Sequence, residues 1–125
     1  MPDNFLIVVL PLIAIIFDFI VGFVAAAKNG VVSSTVMRRG MWNKLSEVIA
    51  IVFGFLCEFG IEVFGASTLG FTVTIPIVTG ICVYIFTYEI VSIIENLGCM
   101  NPDLAKKLTT VIGIHPDKMK MDGGD

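Results

Sequence analysis

Charge is what this sequence has least of: only 15% of its 125 residues are Asp, Glu, Lys or Arg, against about a quarter in an ordinary water-soluble domain. With 56% hydrophobic residues and a mean hydropathy of +0.93, the chain cannot cover itself with a normal solvated surface. The formal net charge of -3 and the lack of a long basic run argue against a nucleic-acid partner. Cysteine is sparse too. Cys57, Cys82 and Cys99 form an odd, widely spaced set, which is neither a disulfide framework nor a zinc site. His115 stands alone without Cys, His or carboxylate partners at ligand spacing. Phosphate-cradling glycine loops and nucleophile elbows are missing. Glu58 and Glu62 lie four apart but have no accompanying His, metal ligand or cleft. The expectation is a protein without enzymatic machinery and without a cofactor. A basic segment before a short apolar stretch is also lacking: Asp3 precedes a run too long for a cleaved signal peptide, so the first segment is expected to stay attached.

What the chain does have is long apolar runs. From Phe5 to Ala27 the only charge is Asp18, and a helix over this run reaches about 34 Å, enough to cross a hydrocarbon layer about 30 Å thick. A second span is predicted over residues 45–64 and a third over 69–88, the latter free of charge before Glu89. Pro11 lies inside the first span and Pro76 is expected to bend the third. Between the first two spans, Asn29-Gly30 reads as a turn. Ser33-Ser34-Thr35 offers capping oxygens to a short interfacial helix carrying Arg38, Arg39, Trp42 and Lys44 at headgroup depth, in contact with membrane lipid. Beyond Tyr88 the third helix is expected to continue a turn or two. A tail over residues 97–125 opens a short helix with Asn101 as cap, Pro102 as first residue and Asp103 as first-turn acid, closed at Gly113. The end, Asp122-Gly123-Gly124-Asp125, reads as disordered. The predicted fold is thus all-α and integral to the membrane, a single unit over residues 1–125.

Orientation follows from the eight basic residues. With three spans, Lys28, Arg38, Arg39 and Lys44 share one side with Lys106, Lys107, Lys118 and Lys120. The positive-inside rule then places the N-terminus outside and the tail in the cytoplasm. Two or four spans would divide these charges between the faces.

Polar residues inside the runs fall on seams. Ala14, Asp18, Gly22 and Ala26 follow helical spacing, as do Glu47, Ala50, Gly54, Glu58 and Glu62; Thr72, Pro76, Gly80 and Thr87 roughly do so on the third span. A carboxylate facing acyl chains costs at least about 2.5 kcal/mol, so the acids must meet protein or water, and small residues let helices approach closely. The seams hold one bundle together, or face an oligomer interface and an aqueous lumen, or form a proton or cation pathway; the second reading is preferred because three short helices have little interior in which to hide carboxyl groups.

The ordered set Asp18 and Gly22, Ser33-Ser34, Gly40 and Lys44, then Tyr88-Glu89-Ile90-Val91-Ser92-Ile93-Ile94-Glu95-Asn96, and a tail helix from Pro102 with Leu104, Lys107 and Leu108 resembles the toxin-secretion/phage-lysis holins over most of the chain. The resemblance implies a phage or prophage protein of the bacterial inner membrane. Such a protein homo-oligomerises and opens a lesion for an endolysin or a secreted toxin, with an antiholin as a further partner. It also implies that Asp18, Gly22, Glu89, Ser92, Glu95 and Asn96 are assembly or pore elements. The seam residues Ala26, Gly54, Glu58, Glu62 and Gly80 join them as oligomerisation candidates. The alternative is a non-lytic membrane subunit such as an antiholin, a scaffold or a small ion-conducting component.

Overall fold

A computed structural model of the chain describes residues 4–72 and 74–113. They form four helices: α1 (Leu6–Lys28), α2 (Ser34–Leu69), α3 (Ile77–Met100) and α4 (Pro102–Ile112). The first three are long and apolar enough to cross a membrane. The predicted tail features at His115, Lys118, Lys120 and the final Asp-Gly-Gly-Asp lie outside the described residues.

Each boundary has a local cause. Asn4 Oδ1 accepts from the Leu6 amide at 3.1 Å and so starts α1; Gly30 at φ 67° turns the chain after it. Ser33 is extended and its hydroxyl accepts from the Val36 amide at 3.2 Å, which caps α2. Gly70, left-handed at φ 69°, ends α2. Asn101 Oδ1 accepts from the Leu104 amide at 3.2 Å, Pro102 follows in the first turn, and Gly113 closes α4 in the left-handed region at φ 78°.

Three boundaries differ from the sequence-based expectation. The basic segment is not a separate interfacial helix: Arg38, Arg39, Trp42 and Lys44 belong to α2, which runs unbroken through 36 residues. Gly40 is the only weak point before the apolar run, and one interior glycine costs about 1 kcal/mol, too little to break a capped helix. The third helix starts at Ile77 rather than 69, and Pro76 is its N-cap rather than a bend within it. The β-branched Thr72, Thr74 and Ile75 disfavour helix, and the residue before a proline is pushed out of the α region. Consequently Thr72 and Pro76 share no helical stripe with Gly80. Finally, α3 runs on to Met100, so residues 97–100 belong to it rather than to the tail.

The helices pack as α1 beside α3 along most of their length, with α2 running antiparallel against α3 and touching α1 least. Ile15 from α1, Ile51 from α2 and Val78, Cys82 and Ile85 from α3 form the core. At one end, the Lys28 ammonium donates to the carbonyl of Met100, tying the C-terminal ends of α1 and α3 together. Large apolar side chains face outward along all three helices, among them Ile13, Phe17, Phe23, Val52, Phe53, Leu56 and Val83. An exterior this apolar fits acyl chains and not water.

Candidate functional site

Near the middle of α1 and α3 a polar cluster interrupts this greasy packing. Asp18, on the α1 stripe with Ala14, is 5% exposed, and Glu89 on α3 is fully buried. Both reach the Lys44 ammonium of α2, which lies 2.6 Å from Asp18 Oδ2 and also donates to Glu89 Oε2. From α3, the Ser92 hydroxyl donates to Asp18 Oδ2 at 3.0 Å and the Asn96 amide to Asp18 Oδ1 at 3.1 Å. Glu47, one turn past Lys44, holds a carboxylate oxygen 3.9 Å from the same ammonium.

The periodicity of α3 explains the convergence. Glu89, Ser92 and Asn96 are spaced by three and four residues, so they line one face of a helix, and that face lies along α1. Gly22 permits the approach: a Cβ there would come within 3.3 Å of Asn96 Nδ2. Every donor of the cluster points at Asp18 or Glu89, which places their charge against matched partners in a low-dielectric setting. Counted as ionised, three carboxylates face one ammonium. Glu47 Oε2 and Glu89 Oε1 are buried and have no donor.

Two concavities flank the cluster. One, of about 540 Å³ between α2 and α3, is lined by Asn43, Glu47, Tyr84 and Tyr88; the other, of about 260 Å³ between α1 and α2, is lined by Gly22, Ala26, Gly40 and Asn96. Asp18 and Lys44 border both. Tyr84 and Tyr88 stack with ring centroids 6.4 Å apart at the rim of the larger one.

The remaining sequence candidates fall elsewhere. Glu58 Oε1 accepts from the Val78 amide at 3.0 Å, so a carboxylate of α2 sits on the first turn of α3, where the helix dipole favours negative charge. Gly54 is buried against α3, and a Cβ on it would stand 2.8 Å from Ile81 Cδ1 and 3.6 Å from Val78 Cα. Glu62 and Gly80 are exposed, Gly80 with open space around it. Glu95 is half-buried on α3, three residues past Ser92. Arg38, Arg39 and Trp42 are exposed on the N-terminal turns of α2.

Lys44 is the residue whose part sequence reasoning missed. It was assigned to the lipid interface, yet its side chain is only 18% exposed. The signal was present: Lys44, Glu47, Ile51, Gly54 and Glu58 step by three and four along one stripe, and Arg38 and Arg39 lie off it. Among the described residues no group of His, Cys, Asp and Glu has metal-site geometry.

Three apolar helices, clasped by a buried ion cluster and coated with outward-facing Ile, Val, Leu and Phe, define a small multi-span integral membrane protein. Its family is shown by comparison: the model of the bacteriophage holin family matches residues 3–115, and the chain belongs to that family, one of membrane pore-formers rather than enzymes. No curated protein and no solved structure matches it.

Proposed function

We propose that this protein is a pore-forming phage holin, which accumulates in the bacterial inner membrane, oligomerises and opens a lesion that releases an endolysin or a toxin. The observation that carries this reading is the family match over residues 3–115. The bundle geometry supports a specific form of it. In the single subunit Lys44 clasps Asp18 and Glu89, so the carboxylates are hidden from lipid at little cost. In the assembled ring, the same face of Asp18, Lys44, Ser92 and Asn96 borders the lumen. Subunit contacts then fall to surfaces left uncovered by the bundle, where Gly80 permits close approach and Glu62 needs a polar neighbour; Ala26 and Glu95 lie nearer the opposite end of the bundle.

The arrangement of charge supports an orientation with the N-terminus outside. Lys28, Arg38 and Arg39 lie at the end of the bundle where α3 meets α4 with Lys106 and Lys107, and such an end belongs in the cytoplasm.

Inducible expression in a bacterium tests the proposal. Abrupt loss of membrane potential and release of a co-expressed muralytic enzyme are expected; normal growth at high membrane levels overturns it. Asp18→Asn is expected to insert normally and to shift the time of lysis, because it weakens the clasp without removing the side chain.

A further inference from the structure

We infer that the groove between α1 and α2 is a binding site for one acyl chain of an anionic phospholipid, with Arg38 holding the headgroup phosphate. α1 and α2 touch each other least of the spanning helices, and the gap between them is a groove of about 590 Å³, within the range of about 300–1,000 Å³ typical of ligand sites. Its walls are apolar, with Ile16, Phe19 and Ile20 on α1 facing Trp42 and Leu45 on α2. Two cations border it, and they are not equivalent. Lys44 is turned inward and occupied by Asp18 and Glu89. Arg38 is exposed and no described acid pairs with it.

The helices run antiparallel, so Ile15 and Val48 mark one end of the groove and Arg38 the other. Ten residues of α2 separate Val48 from Arg38, a length of about 15 Å. An amphiphile with an apolar body and one anionic end matches both the apolar walls and the placement of the unpaired charge at Arg38. Arg39, next in sequence, does not line the groove. The inference goes beyond the pore-forming reading and requires only that the chain resides in a bilayer.

Trp42 is the single tryptophan of the chain and a wall of the groove, which makes it the reporter. The full chain is reconstituted in neutral phosphatidylcholine vesicles, and brominated phosphatidylglycerol or brominated phosphatidylcholine is titrated in while Trp42 fluorescence is followed. Phosphatidylglycerol is expected to quench at about fivefold lower mole fraction, the value of one basic contact to an anionic headgroup. Arg38→Gln is expected to abolish that preference and Arg39→Gln to leave most of it. Arg38 is exposed, so helical circular dichroism should be unchanged in both variants. Ile16→Phe, which narrows the groove, is expected to weaken quenching by both lipids. Equal quenching by the two lipids, or equal losses from the two arginine variants, overturns the inference in favour of a merely annular lipid. Quenching that falls as protein density rises at fixed lipid composition overturns it in favour of a second copy in the groove.

Discussion

Replacing Lys44 by Met removes the only cation from the cluster while keeping an unbranched side chain of similar length and high helix propensity, so the effect isolates the charge. In the folded chain that ammonium stands 2.6 Å from Asp18 Oδ2, donates to Glu89 Oε2 and lies 3.9 Å from Glu47 Oε2. Breaking a buried ion pair by removing one partner costs about 3–5 kcal/mol. Asp18 keeps Ser92 and Asn96 as donors, each worth about 1 kcal/mol, whereas Glu89 Oε2 loses its donor. A loss of about 3 kcal/mol is therefore expected, borne mainly by Glu89. The double variant Lys44→Met with Glu89→Leu should recover most of it, because replacing both partners with apolar groups is often neutral or stabilising. A coupling of at least about 2 kcal/mol follows for the double-mutant cycle. The assay is reversible unfolding in mixed micelles of rising denaturing-detergent content, read by circular dichroism. A single-variant cost under about 1 kcal/mol, or a Glu89→Leu penalty that is the same with and without Lys44, would refute the reasoning.

Gly22→Leu should destabilise the bundle by about 1–3 kcal/mol, since even a Cβ there meets Asn96 Nδ2 at 3.3 Å; the same unfolding assay in micelles reads it. Glu58→Ala deletes the acceptor for the Val78 amide and should cost about 1 kcal/mol, while Glu58→Gln retains an acceptor and should cost less. Asn101→Ala removes the cap of α4 and should raise amide exchange across residues 102–112 without moving the unfolding transition of the three long helices.

The number of spanning helices was legible in the sequence because apolar run length reports it directly, and the caps at Ser33, Asn101 and Gly113 were legible because short polar side chains and glycine have defined roles at helix ends. The boundaries that failed depend on competition. Charge at Arg38, Arg39 and Lys44 marks where hydropathy falls, but a helix does not end where hydropathy falls, so α2 runs straight through. Hydropathy over residues 69–76 suggests a span, but β-branching and Pro76 decide the backbone. In the candidate site, the seam on α1 and the set Glu89, Ser92 and Asn96 could be read from spacing. That these two seams meet one another could not, because it depends on α1 and α3 running parallel in contact. Lys44 was misplaced for a related reason: its neighbours Arg38 and Arg39 are surface cations, and only the stripe it shares with Gly54 and Glu58 separates it from them.

In lipid the hydrophobic effect does not hold one apolar helix against another, so the attachment of α2 must rest on specific contacts. Those fall at a few places along its inner stripe: Lys44 on Asp18 and Glu89, Ile51 and the backbone of Gly54 against the core, and Glu58 on the first turn of α3. Past Glu58, α2 continues to Leu69, about 16 Å at helical rise, with Phe59, Phe64 and Leu69 exposed and α3 already begun. α1 and α3, by contrast, are matched along most of their length and tied at Lys28 and Met100. The bundle is therefore a firm pair with a third helix held at two polar points, Lys44 and Glu58, and by the apolar contact between them. On the proposed pore-forming reading, Lys44 therefore holds α2 to that pair within each subunit, while neighbouring subunits meet on the surfaces the bundle leaves uncovered.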